Sequence, residues 1–180
     1  FDMLHKGHKT LLRKAFQISE KVLIGLTTDE FVKRLGKSHP VAPYEERLKE
    51  LKEFLKSEGL LERAEIIPLS DPYGPIVWDG LVDAIVVSQE TAPRAEEINK
   101  IRQKRGLKPL KIIAIDMVLA KDRRPISTTR IRAGEIDREG RILHYTPAIT
   151  PTKRLQKLPS PPQTTQNAHP IAPSNPQYTS

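Results

Sequence analysis

Apolar positions along this chain switch repeatedly between helical spacing and short unbroken runs. Residues 7–19 put Leu11, Leu12, Ala15, Phe16 and Ile18 on one helical stripe. Residues 22–26 (VLIGL) then form an apolar run of buried-strand type. The run ends in Thr27-Thr28-Asp29, where Thr28 or Asp29 can cap a brief helix reaching Leu35. Pro43 suits the first turn of a helix over YEERLKELKEFLKSEG, with Leu48, Leu51, Phe54 and Leu55 at helical spacing and Gly59 as its stop.

The alternation continues in the second half. Residues 64–69 read as a strand, 70–75 as a turn-rich loop and 83–88 (DAIVVS) as a second strand. A helix is expected over 92–105, with Arg94, Glu96, Glu97, Lys100 and Arg102 on exposed faces and Gly106 closing it. Asn99 and Arg102 share a face of this helix and read as structural, and Tyr73 and Trp78 read as packing residues. Residues 111–117 (KIIAIDM) form a third strand of the second half, followed by a loop to Ser127 and a last helix. Near-continuous Val/Ile/Leu strands alternating with helices predict an α/β fold: a parallel sheet covered by helices on both faces. Ligands of such sheets bind beyond the carboxyl ends of the strands, which here are Thr27, Ser88 and the loop after Met117.

Composition changes the picture at one end. Residues 151–180 hold 7 of the 16 prolines, no glycine and no acidic residue, and are rich in Ser, Thr and Gln. Such a segment buries too little apolar area to offset its ordering entropy. The expected organisation is a folded domain over 1–147 and a disordered Pro/Thr/Ser/Gln-rich tail over 148–180. Deleting 151–180 is accordingly expected to leave melting temperature and turnover unchanged; a clear loss of either would show that the tail docks.

The tail carries Lys153, Arg154 and Lys157, so the rest of the chain keeps 27 basic against 22 acidic residues, a net of +5. That excess attracts a polyanionic small molecule or a nucleic acid equally well. Nucleic acid is disfavoured because basic residues interleave with Glu and Asp along the helices and aromatics are only 5% of residues. The absence of cysteine excludes thiolate metal sites and disulfides and fits a cytoplasmic protein. No membrane association is expected, since no apolar run nears the roughly 20 residues that span a bilayer, and no basic-then-apolar leader opens the chain. His39, His144 and His169 stand alone in sequence, so no protein-held metal is expected.

Two short motifs 121 residues apart carry the chemistry. His5-Lys6-Gly7-His8 offers two imidazoles about a helical turn apart, with a glycine that admits close backbone approach. Ile126-Ser127-Thr128-Thr129-Arg130-Ile131-Arg132 reads as a helix start: Ser127 caps, Thr128 and Thr129 present hydroxyls and backbone donors, and Arg130 adds fixed charge. Each pattern alone is common as a plain helix cap or surface histidine pair. Together, in this order and fold, they read as a phosphate-handling site acting on a nucleotide.

These residues resemble a known superfamily. The first motif is similar to the H/T-x-G-H motif of the nucleotidyltransferase α/β phosphodiesterases, and the second resembles their I-S-S/T-T-R motif. Phe1-Asp2 matches the residues that follow their usual Gly-Gly-Thr. Within that superfamily GLTTDEFVKR (25–34), PYEERLKEL (43–51) and VVSQETAPRAEEINKIR (86–102) look closest to the archaeal-type phosphopantetheine adenylyltransferases. The resemblance covers about residues 1–145. It implies a Rossmann-like fold and transfer of AMP from ATP to 4′-phosphopantetheine, giving dephospho-coenzyme A and pyrophosphate. His8, and more loosely His5, would contact the ATP phosphates. Lys37, or failing it Lys33, would bridge the attacking phosphate and the α-phosphate. Ser127, Thr128, Thr129 and Arg130 would hold the β- and γ-phosphates, while Phe1, Asp2, Gly7, Ser88 and Glu90 would line the nucleotide site. Mg²⁺ would arrive on the triphosphate with few protein ligands of its own.

Other phosphate acceptors of the superfamily are the alternative: nicotinamide mononucleotide, or cytidylyl transfer to a polyol phosphate. A tRNA-synthetase fragment also carries H-x-G-H, yet it calls for a far longer catalytic domain and a lysine-rich second motif. The resemblance further implies a central strand ending in Gly-Gly-Thr ahead of Phe1. This chain starts just past it, so the first strand is expected to be missing, with the chain a fragment rather than a defective remnant because both motifs are intact.

Overall fold

The computed structural model describes residues 1–36 and 39–143. By its internal contacts the chain divides into two units, Phe1–Tyr145 and Thr146–Ser180. All described residues fall in the first. The tail expected over 148–180 lies outside them.

Helix α1 (Lys6–Ile18) buries Leu12, Ala15 and Phe16 on the stripe that the spacing predicts. Strand β1 (Val22–Thr27) leads into a short helix α2 (Asp29–Arg34), whose first turn is capped by Thr28 Oγ1 accepting from the Phe31 amide at 3.2 Å. Helix α3 (Tyr44–Ser57) inserts Leu51, Phe54 and Leu55. Pro43 stands at its N-cap, one residue earlier than the first-turn place expected for it, and offers no side-chain cap. The missing cap comes from a distance: Asp29 Oδ2 accepts from the Tyr44 amide at 3.0 Å.

Strand β2 (Ala64–Leu69) follows a 3₁₀ turn and runs parallel to β1, Val22 opposite Ala64 through Thr27 opposite Leu69. Strand β3 (Ala84–Ser88), helix α4 (Ala92–Lys104) and strand β4 (Lys111–Ile115) complete a second parallel pair, Ala84 opposite Lys111 through Ser88 opposite Ile115. Helix α5 (Thr128–Arg132) is the last. This is the α/β, Rossmann-like arrangement of parallel strands flanked by helices. One continuous sheet is not formed among the described residues: β1–β2 and β3–β4 are separate two-stranded pairs. The four apolar runs of the sequence supply four strands, and α1 packs against β3 while α3 packs against β1.

The main core joins the entry loop, α1, β1 and α3 through Leu4, Leu12, Phe16, Ile24, Leu51, Phe54 and Leu55. A second cluster (Val77, Ile98, Leu110) lies under α4, and a third (Ala120, Ile126, Ile136) sits beneath the second motif. Among the described residues no helix is long and apolar enough to cross a membrane.

Arg102, expected on an exposed face, is fully buried instead. Its guanidinium donates to the carbonyls of Lys108, Ile76, Asp79 and Val82, so one side chain pins the 76–82 loop to α4. Neighbouring Asn99 brackets Leu110, donating to its carbonyl at 2.9 Å and accepting from its amide at 2.7 Å. Trp78 also departs from expectation. It is exposed, with the Arg105 guanidinium 5.5 Å from its ring centroid.

Candidate active site

His5 ends the entry loop in extended backbone and caps α1 with its own ring, Nδ1 accepting from the Gly7 amide at 3.1 Å. Most helices use an oxygen side chain for that task. The glycine of the motif suits this arrangement, since a Cβ on residue 7 would stand 3.0 Å from the His5 ring and press on it. Gly7 thus makes room for an imidazole of its own chain. His8, one turn on, stacks on His5 with ring centroids 3.9 Å apart, and the Phe1 ring meets it edge-on at 4.9 Å. His8 Nδ1 lies 3.1 Å from the Met3 carbonyl.

Burial, with further help from nearby positive charge, pushes the His5 pKa down to about 4. Burial and then the neighbouring His5 push His8 to about 3. Both rings are neutral at pH 7. The unfolded chain takes up protons near the ordinary value of about 6.5, whereas the folded form resists until far lower pH. Stability therefore falls as pH drops below about 6.5, by about 1.4 kcal/mol per pH unit for each ring. Melting followed from pH 6.5 to 5 should show this decline, with a shallower slope in His8→Gln. An unchanged melting temperature in that window would mean that the rings are solvated.

Two connections bring the second motif to the first. Asp2, almost fully buried, receives Arg132 Nη2 on both carboxylate oxygens at 3.1 Å, across 130 positions of sequence. The Lys6 amide donates to the Arg138 carbonyl at 2.9 Å, and Glu50 of α3 holds both the Leu4 amide and the Arg138 side chain. The segment after α5 is in this way fastened onto the start of α1.

Inside the second motif Ser127 caps α5, its Oγ accepting from the Arg130 amide at 3.3 Å. Thr128 is half-buried and Thr129 exposed. Arg130, expected on the phosphates, is directed inward. Its Nε donates to Glu135 at 2.9 Å, Nη1 to the Pro125 carbonyl at 3.0 Å, and Nη2 pairs with Asp122. Its side chain is 10% exposed, against 29% for Arg132. Arg132 is thus the accessible guanidinium of the motif, and the reading of the sequence missed it. No local signal separates the two arginines, because the partners that turn Arg130 inward are set by the fold.

The remaining expected residues sit as follows. The Asp2 carboxylate accepts from Arg132 and lies 3.3 Å from His39 Nε2. Ser88 at the carboxyl end of β3 is engaged by Thr91, whose Oγ1 lies 3.1 Å from both its amide nitrogen and its hydroxyl. Next to it Gln89 donates to Asp116 at 2.8 Å, tying the ends of β3 and β4, and Glu90 is exposed. Lys33 is exposed on α2, and Lys37 lies outside the described residues. At the end of β1 the buried Arg47, to which the sequence reading gave no role, donates to the carbonyls of Thr27 (2.8 Å) and Ala42 (2.7 Å) and to Asp29 Oδ1 (2.8 Å). It fixes the corner from which α2 and the Lys33 segment depart. No group of three or more His, Asp or Glu side chains that could hold a metal ion occurs among the described residues.

A neutral histidine pair at the start of α1 thus follows a buried carboxylate that receives an arginine of a capped helix start. The chain belongs to the cytidylyltransferase-like family, whose profile matches residues 1–134. It is 49% identical over 137 residues to the phosphopantetheine adenylyltransferase of Methanopyrus kandleri, covering 76% of this chain and 86% of that one. It is also 49% identical over 143 residues to the phosphopantetheine adenylyltransferase of Methanothermobacter thermautotrophicus, with 79% and 85% covered. A solved structure of a protein of unknown function from Archaeoglobus fulgidus is similar at 27% identity with a TM-score of 0.57, covering 66% of this chain and 94% of that one.

Proposed function

We propose that this chain is a nucleotidyltransferase of coenzyme A biosynthesis that moves AMP from ATP to 4′-phosphopantetheine, releasing pyrophosphate. The observation that carries the reading is the joining of the histidine motif to the Ser-Thr-Thr-Arg helix start through Asp2 and Arg132. The names of relatives nearly half identical over most of their length support the choice of acceptor.

The acceptor phosphate attacks the α-phosphorus in line, and pyrophosphate leaves from the opposite side. No covalent enzyme intermediate is needed, so the protein supplies position and charge. His8, with His5 behind it, meets the phosphate on which charge accumulates. Lys37 bridges the attacking phosphate and the α-phosphate. Thr128, Thr129 and Arg132 hold the β- and γ-phosphates, Ser127 and Arg130 keeping that helix start in shape. Phe1 and Gly7 set the histidine rings, and Ser88 and Glu90 border the nucleoside. Magnesium, when bound on the triphosphate, withdraws charge from its oxygens. The work takes place in the cytoplasm, without nucleic acid or membrane as a partner.

Thermal shift with ATP, CTP and an oligonucleotide separates this reading from its competitors. Protection by ATP alone is the expected result. Protection by CTP would point to cytidylyl transfer, and protection by the oligonucleotide alone would overturn the reading.

A further inference from the structure

The two imidazoles keep their single protons on different nitrogens. His5 Nδ1 accepts from the Gly7 amide, so its proton is on Nε2. His8 Nδ1 faces the Met3 carbonyl, which can only accept, so the His8 proton is on Nδ1 and its Nε2 holds a bare lone pair. A lone pair repels a phosphate oxygen. Either His8 abandons Met3 to move its proton across the ring, leaving a carbonyl without its donor, or it gains a second proton.

We infer that nucleotide binding at this site is coupled to the uptake of one proton by His8 at Nε2, so that the phosphates meet an imidazolium formed only in their presence. The inference rests on the proposed function above and specifies how that site recognises its polyanion. The proton comes from solvent and adds to the Nε2 lone pair. No bond is broken, and the proton returns to solvent when the anion leaves.

The surroundings of His8 explain why the charge waits for the ligand. The His5 ring covers one face and the Phe1 ring abuts it. Asp2 favours the charged form, but its carboxylate is already paired with Arg132. Arg138 adds positive charge near His5. Burial of this group then keeps it neutral in the free protein, with its pKa down at about 3. A triphosphate supplies the negative charge that the pocket lacks. His5 is not the acceptor of the proton, since a second proton on its Nδ1 would oppose the Gly7 N–H that caps α1.

Calorimetric titration of the full chain with MgATP, in buffers of unlike ionisation enthalpy and without acceptor, counts the protons directly. The expected result is uptake of a measurable fraction of a proton at pH 7, rising toward one at pH 5.5. Uptake should be abolished in His8→Gln, whose amide needs no proton to donate, and retained in His5→Gln. Binding that is buffer-independent across this range in the unsubstituted protein would overturn the inference, as would uptake that survives in His8→Gln. No heat and no thermal shift with MgATP would instead overturn the functional reading, and this inference with it.

Discussion

His8→Ala is expected to lower kcat by roughly 10²–10³ while the KM for ATP moves far less. The imidazole is placed by the Met3 carbonyl, the His5 stack and the Phe1 edge. A donor held that rigidly stabilises charge that appears during transfer more than charge already present in bound ATP. The ring is also the one that takes up a proton with the nucleotide, so the loss in the alanine variant should widen as pH is lowered toward 5.5. Steady-state kinetics with both substrates varied would check this. A variant with near-normal kcat would remove His8 from the mechanism, and a large rise in KM at constant kcat would demote it to ground-state binding.

The largest effect on stability is expected from Arg47→Met. The substitution keeps most of the side-chain volume and deletes every donor. The carbonyls of Thr27 and Ala42 then lose their partner, and Asp29 loses the cation that, after the Tyr44 amide, holds its carboxyl below the usual carboxylate range. Asp29 is 42% exposed and keeps its solvent, so the cost lies in the carbonyls left without their buried donor, about 2–4 kcal/mol, which lowers Tm by about 10 °C in a domain of this size. Arg13 makes two contacts of 2.9 Å with Glu58 on the surface, and Arg13→Met is expected to cost no more than about 1 kcal/mol. Chemical denaturation of both variants tests the contrast. Equal, small losses would show that the corner of β1, α2 and α3 is held by apolar packing alone.

Much of the fold is legible in the sequence because its apolar runs are sharply bounded. Strand β2 falls on the expected residues, and α1 and α4 are displaced by no more than one residue at either end. The division of the strands into two pairs is not legible, since pairing is a contact between segments and no run announces its neighbour. The buried arginines are hidden for a related reason. Arg47 and Arg102 stand among Glu and Lys in helices that read as charged, and their partners are mostly backbone carbonyls, which every residue possesses.

The two motifs are plainly visible, each with its local capping chemistry. What joins them is not. The Asp2–Arg132 contact spans 130 positions, and only the fold decides that Arg130 turns to Asp122 and Glu135 while Arg132 remains accessible. Likewise the glycine of the first motif reads as room for a ligand, yet the group it admits is the His5 ring.

Pyrophosphate release from MgATP, measured with and without 4′-phosphopantetheine, decides between adenylyl transfer to this acceptor and transfer to another. Release is expected to depend on that acceptor and to collapse in His8→Ala. ATP that raises the melting temperature while 4′-phosphopantetheine elicits no pyrophosphate would contradict it, leaving a nucleotide-binding site whose acceptor is a different phosphate.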